Sequence, residues 1–281
     1  MIDQPPTITH VEYDEPDLST DRAHSARVYD YLLGGKDNYA VDRAAAQAIM
    51  RLWPAVGKAA VANRSFMHRA ARFMAEQGIT QFLDIGTGIP TEPNLHQVVQ
   101  AVTPTARVVY VDNDPLVLVH AAAFMESDPR GRTAYLQADL RHPGSILDSP
   151  ELHDVLDTDR PIGLSMIALL HFVTDDDEAT AVLARMTGAL APGSFLALTH
   201  GSDEFDPERM RALADVYAAT GFEYSFRGHA EIADLLDGLE LVEPGIVQIH
   251  TWRPERVRGA PAGPPIDRRD VAGYGVVAQK V

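Results

Sequence analysis

The sequence contains no cysteine. Disulfides, thiolate metal sites and cysteine nucleophiles are therefore excluded, and the composition suits a reducing cytoplasm. Long apolar runs are also missing. None reaches the ~18 residues of a membrane-spanning helix, and the longest, Ile162 to Val173, contains His171. The amino terminus, MIDQPPTITHVEYDEPD, has neither the basic nor the apolar region of a signal peptide. Positive charge is scarce: 24 Lys and Arg stand against 40 Asp and Glu, for a net charge of −16. The mean field of such a chain repels polyanions, because nucleic-acid affinity rests largely on neutralising phosphates. One Arg-rich stretch, Arg253, Arg256 and Arg258 with Arg268 and Arg269, is interleaved with acids and reads as a solvated loop. The expectation is a cytoplasmic protein without nucleic-acid or membrane partners and without a metal.

What is present fits one large domain with an appendage: 281 residues, 46% of them hydrophobic. Residues 1–20 are rich in Pro, Asp, Glu and Thr and read as a flexible arm. Residues 21–78 read as a helical extension. A helix capped by Ser19 or Asp21 runs from Ala23 to Leu33 and stops at Gly34-Gly35. A second covers Val41 to Leu52. A third starts at Pro54 and runs to about Gln77, with Val56, Ala60, Met67, Ala70 and Met74 at helical spacing.

From residue 79 the pattern alternates. Strand-like runs at Thr80–Leu83, Arg107–Val111, Thr133–Gln137, Ile162–Ala168 and Ser194–Thr199 are separated by helical segments, which predicts a parallel sheet covered on both faces. Asp114-Pro115 opens a helix ending near Ser127, and Thr174 to Asp177 opens another ending before Pro192-Gly193. Helices are expected at Pro207–Thr220 and Gly228–Leu236. Leu239–Val242 with Ile246–Trp252, and Gly273–Lys280, read as late strands that pair antiparallel, since no crossover helix joins them.

The chemistry concentrates at Phe82-Leu83-Asp84-Ile85-Gly86-Thr87-Gly88, a strand running into a glycine turn. Ligands of open parallel sheets bind beyond the carboxyl ends of the strands. A dinucleotide site would continue as G-x-G-x-x-G, with pyrophosphate on a helix amino terminus. Here the third position is Thr91, and Asp84 would repel a pyrophosphate. An ammonium group would be attracted instead, and S-adenosylmethionine carries an ammonium and a sulfonium but no phosphate. Asp112 ends the second strand 24 residues after Gly88, near the spacing of an acid that accepts ribose hydroxyls. Asp139 follows the third strand, where a carboxylate can accept an adenine amino group. Taken alone, each acid would be a helix cap more often than a ligand contact. Three successive strands ending in Asp beside a GxG turn are harder to attribute to capping.

Asp84-Ile-Gly86-Thr-Gly88, Asp112 and Asp139 resemble the successive motifs of Rossmann-like class I S-adenosylmethionine-dependent methyltransferases. The antiparallel last pair resembles their seven-stranded, mostly parallel sheet with helices on both faces. A narrower resemblance spans the chain. The run from Ala26 to Tyr39 (ARVYDYLLGGKDNY), Asn63-Arg64 and Gln81 to Pro90 are similar to a bacterial family of methyltransferase-like proteins of unknown substrate. The resemblance implies that Asp84 holds the amino group of the cofactor and that Gly86 and Gly88 approach its methionine and ribose parts. Asp112 would take the diol with Asn113 beside the adenine, Asp139 and Leu140 would meet the adenine, and Ala168 and Leu169 would pass near the sulfonium.

Other residues keep two readings. His171, in the leucine–histidine stretch after the fourth strand, is a general base or an inert wall of the pocket. Tyr29, Tyr31, Lys36, Asp37 and Tyr39 form a lid touching the cofactor, Tyr31 foremost, or pack a helix whose Gly-Gly is only a cap. Arg64 reaches the cofactor carboxylate or forms a surface ion pair. His200, Ser202, Tyr217, Tyr224 and His229 are candidates for the substrate wall. The missing cysteine excludes pyrimidine methylation through a cysteine adduct, and no Asn/Asp-Pro-Pro-aromatic stretch marks an amino-base methyltransferase. The expected function is S-adenosylmethionine-dependent methylation of a small molecule. The competing expectations are a non-catalytic S-adenosylmethionine-binding regulator and an NAD-dependent oxidoreductase, the latter disfavoured by Asp84 and Thr91.

Overall fold

The computed structural model describes residues 20–124, 127–254 and 266–281, with backbone alone at residues 118 and 121–124. Residues 1–19 of the expected amino-terminal arm and most of the Arg-rich loop lie outside these residues, and Ser127, the expected end of the helix after Asp114, stands outside the helix. Three helices come first: α1 (Ser25–Leu32), α2 (Ala40–Leu52) and α3 (Val56–Glu76). The cap of α1 is His24, whose Nδ1 accepts from the Ala26 N–H, not Ser19 or Asp21.

The alternating part follows as β1 (Gln81–Ile85), α4 (Leu95–Val102), β2 (Arg107–Asp112), α5 (Pro115–Phe124), β3 (Arg132–Gln137), α6 (Pro143–Leu147), α7 (Pro150–Val155), β4 (Gly163–Met166), α8 (Asp176–Gly188) and β5 (Phe195–Gly201). The chain closes with α9 (Pro207–Ala219), α10 (His229–Leu235), β6 (Glu240–Leu241), β7 (Val247–Gln248) and β8 (Gly273–Gln279). The order across the sheet is β3-β2-β1-β4-β5-β8-β6, with β7 also on β8. Strands β1 to β5 are parallel, and β8 runs antiparallel to β5, β6 and β7. This is the Rossmann-like, mostly parallel sheet, with the seventh position split between two short strands. The long strand expected from Ile246 to Trp252 gives way to a 3-10 turn at Ile249–Thr251.

Strand residues alternate between two cores, as a period of two demands. Leu83, Ile85, Val109, Val111, Leu164 and Leu196 pack with Leu152, Val182, Leu183 and Met186 on one face. Phe82, Val108, Tyr110 and Ala197 pack with Phe66, Ala70, Met74 and Trp252 on the other. Asp84 and Asp112 share the parity of Phe82 and Tyr110, so their carboxylates project on the side of α3. A third core joins the amino-terminal helices to α9 through Val28, Ile49, Trp53, Val56, Met210 and Leu213.

An internal ion pair locks the extension to the sheet. Arg27 Nε lies 3.1 Å from Asp114 Oδ2 and 3.9 Å from Asp42 Oδ1, and all three side chains are buried. Asp114 in turn caps α5, accepting from the Leu116 N–H. Among the described residues, no helix is long and apolar enough to cross a membrane.

Candidate active site

A cavity of about 620 Å³ opens at the carboxyl ends of β1, β2, β4 and β5. Of the residues expected at the site, Asp84, Gly86, Gly88, Asp112, Asn113, Asp139, Leu140, Ala168, Leu169, His171 and Arg64 all line it. The glycine turn sets its floor. Gly86 (φ +72°) donates its N–H to Val111 O at 2.8 Å, which binds the turn to β2. A Cβ at Gly86 would stand 2.7 Å from Leu169 Cδ1 and push that side chain aside, and the positive φ itself favours glycine. Gly88 (φ +68°) donates to Asp112 Oδ2 at 2.8 Å, and Asp114 N–H donates to Oδ1 at 2.9 Å. Asp112 is thereby held by one backbone donor per oxygen, leaving lone pairs free on each.

Asp84 sits inside β1 beside Ser165 of β4. Burial pushes its carboxyl up to about 6, offset in part by Ser165 and the Arg64 guanidinium. Arg64, one turn after Ala60 on α3, donates from Nη2 to Pro93 O at 3.0 Å. Its Nε is buried without a partner. Asn63 beside it donates from Nδ2 to Tyr29 Oη at 3.0 Å, while its Oδ1 is also buried and unpartnered. Asp139 is held differently, by four hydrogen bonds from three Arg141 donors, N, Nε and Nη2, at 2.6–3.2 Å. The guanidinium keeps its carboxyl below the usual range.

The loop after β4 turns sharply into the cavity. Ala168 adopts φ +52°, a sparsely populated conformation for a residue with a Cβ, and donates its N–H to Thr199 Oγ1 at 2.8 Å. His171 follows in a 3-10 turn. Its ring stacks on Tyr224 at 4.3 Å, and Tyr224 stacks on Tyr217 of α9 at 4.4 Å. Burial, with His200 and Arg227 nearby, drives the His171 imidazole well below its ordinary pKa.

Arg227 carries much of this side and has no periodicity or motif to announce it. Its Nε donates to Asp176 Oδ1, Nη2 to Val173 O, and Nη1 to Leu170 O and His200 Nε2. A guanidinium only donates, so His200 Nε2 accepts and His200 Nδ1–H donates to Gly201 O at 2.8 Å. His200 is thus a fixed neutral tautomer, with burial pushing its pKa down to about 4.

The amino-terminal string is arranged differently from the lid expected. Tyr31 is not among the lining residues: Val28, Tyr29 and Leu32 take the inward face of α1, and the Tyr31 hydroxyl points to Gln47 Nε2 at 3.4 Å. The Tyr29 hydroxyl donates to Ala60 O at 2.9 Å. Lys36, Asp37 and Tyr39 also stand outside the lining, in a turn organised by Asp30, which accepts from Asp37 N–H and Asn38 Nδ2. The start of the extension forms a wall through Ala23 and His24 ahead of α1 and Ser25, Ala26, Val28, Tyr29 and Leu32 within it. Of the late candidates, His200, Tyr217 and Tyr224 line the cavity. Ser202 Oγ instead accepts from the Glu204 N–H, and His229 packs edge-on to Tyr274.

Comparison with known proteins gives the family. A family profile described as S-adenosyl methyltransferase matches residues 11–281. The chain is similar to a DUF574 family protein from Streptomyces avermitilis MA-4680, with 49% identity, 94% of this chain and 100% of that one covered, and a TM-score of 0.89. It is also similar to a protein from Thermobifida fusca YX to which methyltransferase activity is attributed, with 38% identity, coverage of 96% and 99%, and a TM-score of 0.84. No curated protein matches. The chain belongs to the S-adenosyl methyltransferase family, and it is a class I S-adenosylmethionine-dependent methyltransferase.

Proposed function

We propose that the protein methylates a small molecule, and that the strand-end carboxylates and α3 hold the cofactor. The carrying observation is the pairing of Asp84 with two unsatisfied polar atoms, Arg64 Nε and Asn63 Oδ1, in one lined cavity. A buried polar group without a partner costs about 1–3 kcal/mol, so such a pair is matched to a ligand that is both cationic and anionic. The amino-acid end of S-adenosylmethionine fits that donor set. Asp84 would take its ammonium and Arg64 its carboxylate. Asp112 would accept the ribose diol, with Gly86, Gly88 and Asn113 beside it. Asp139 and Leu140 would meet the adenine, although Arg141 already occupies the Asp139 carboxylate. Ala168 and Leu169 would border the sulfonium.

Bound there, the cofactor would supply an electrophilic methyl group whose leaving group is a neutral thioether. The protein's contribution is positioning and exclusion of water. His171 is buried and neutral at pH 7, and charging it beside Arg227 is unfavourable, so it would orient the acceptor by hydrogen bonding and be a weak base. A cavity of this size, closed by α1 on one side and the Tyr217–Tyr224 stack on the other, suits a small acceptor better than a polymer. Conversion of S-adenosylmethionine to S-adenosylhomocysteine across a panel of small metabolites, proteins and RNA tests the proposal. Turnover with a small molecule supports it, and turnover only with protein or RNA contradicts it.

A further inference from the structure

The cavity continues past the cofactor side into an end with different chemistry. The stack Tyr217–Tyr224–His171 forms one side, its first two rings within 8° of parallel. Phe172 meets Tyr224 edge-on, with ring centroids 5.6 Å apart. The extension forms the facing side with Val28, Leu32, Trp53 and Val56, and these belong to the same hydrophobic cluster as Tyr217 and Phe222.

Charge at this end is neutralised or negative. The Arg227 guanidinium is spent on Asp176, His200 and two carbonyls. Glu223 lines the cavity as an anion at its exposed side. A carboxylate or phosphate brought here would lose its hydration, which is costly: of the cations nearby, Arg227 is held by Asp176 and Arg141 by Asp139. A cation would find Glu223 only at the exposed rim and, carried deeper at this end, would lose its hydration beside an Arg227 charge already paired with Asp176. An uncharged flat ring escapes both penalties and gains stacking and edge contacts of about 0.5–1.5 kcal/mol per ring pair.

Among the described residues, two polar atoms of side chains lining this end have no partner. Trp53 Nε1 and His171 Nδ1 are buried and unbonded, in residues only 7% and 6% exposed. Buried ring nitrogens normally find a hydrogen-bond partner. An indole N–H can only donate, so a ligand completing it carries an oxygen or nitrogen acceptor.

We infer that the methyl acceptor is a flat, uncharged aromatic molecule with polar ring substituents, held between Trp53 and the Tyr217–Tyr224–His171 stack. The inference rests on the cofactor occupying the other end, as proposed above. Its test is a calorimetric titration of the protein saturated with S-adenosylhomocysteine, using four bicyclic probes of matched size. They are 2-naphthol (neutral), 2-naphthoate (anionic), 1-naphthylmethylamine (cationic) and 2-decalol (saturated). The expected result is binding of 2-naphthol at least tenfold tighter than the other three. Tyr224→Ala should weaken it tenfold or more while S-adenosylhomocysteine affinity stays within twofold. Should Tyr224→Ala not fold, Tyr224→Leu keeps bulk, removes the ring and is expected to give the same loss. Equal or tighter binding of any charged or saturated probe, or an undiminished naphthol affinity in the variant, overturns the inference alone. Failure of S-adenosylhomocysteine itself to bind overturns the cofactor assignment and this inference with it.

Discussion

The two ends of the cavity are built by different means. The cofactor end is made by the sheet: Asp84, Gly86, Gly88 and Asp112 follow directly from the ends of adjacent parallel strands, and their spacing is fixed by strand register. The acceptor end is assembled from pieces far apart in the chain, with Val28 and Trp53 from the extension, His171 from the β4 loop, and Tyr217 and Tyr224 from α9 and its following segment. The first end is polar and held by backbone donors; the second is aromatic and held by one buried arginine. A sheet end can accommodate one cofactor unchanged while the appended walls vary, so under the proposed reading acceptor specificity would reside in the helical extension and the α9 region.

The strongest test of that division is its anchor. Arg27→Met leaves the Asp42 and Asp114 carboxylates buried without their cation, and removal of one member of a buried pair costs about 3–5 kcal/mol. Urea unfolding should show a loss of that size if the extension and sheet fold as one unit. A loss under about 1 kcal/mol would mean that the extension docks loosely. The next effect is confined to the cofactor end. Asp112→Ala should weaken S-adenosylmethionine by roughly 1.5–3 kcal/mol, the value of charge-assisted hydrogen bonds, with 2-naphthol affinity little changed. Unchanged cofactor affinity in the folded variant would refute the ribose assignment.

A smaller effect is expected from pH. Asp84 has its carboxyl pushed up from 3.8 to about 6 by burial. Its folded form therefore holds a proton that the unfolded chain has released, and its contribution to stability declines as pH rises from 3.8 through about 6. A cationic ligand selects the ionised form, so cofactor affinity runs the other way and should rise about tenfold from pH 5 to pH 7. Titrations at pH 5, 6 and 7 check this. A flat profile, or an equal slope in Asp84→Asn, would remove Asp84 from the ammonium site. The smallest change belongs to the exposed pair at the adenine side: Arg141→Ala should shift cofactor affinity by no more than about 1 kcal/mol, measured in the same titration.

The contrast between the two ends also explains what was readable in the sequence. Strands β1 to β5, the crossover helices α5 and α8 and the three aspartates carry local signals: apolar runs of the right length, Asp-Pro helix starts and a GxG turn. The antiparallel end was legible from its missing crossover, but its strand broke into β6 and β7, where Pro244-Gly245 interrupts the ladder. The short helices α6 and α7, of 5 and 6 residues, are too brief to show a period. The sequence pattern puts Tyr31 at the cofactor, but two residues along a helix turn a side chain by about 200°, which leaves Tyr29 on the cavity face and Tyr31 turned away from it. Arg227 left no trace, since its four partners are brought together only by tertiary structure. The Lys36–Tyr39 turn read as a lid because Gly34-Gly35 suggested a hinge. Gly35 is instead glycine because a Cβ there would stand 1.9 Å from Asp30 Oδ1, the carboxylate that ties the turn together.

The most direct test of the cofactor end is calorimetric titration of S-adenosylmethionine into the wild-type protein and Asp84→Asn at pH 7. The site described here predicts one equivalent bound by the wild-type chain and an affinity at least tenfold lower in the folded variant, which keeps the shape of the side chain and loses its charge. Equal affinity in the two proteins would contradict it.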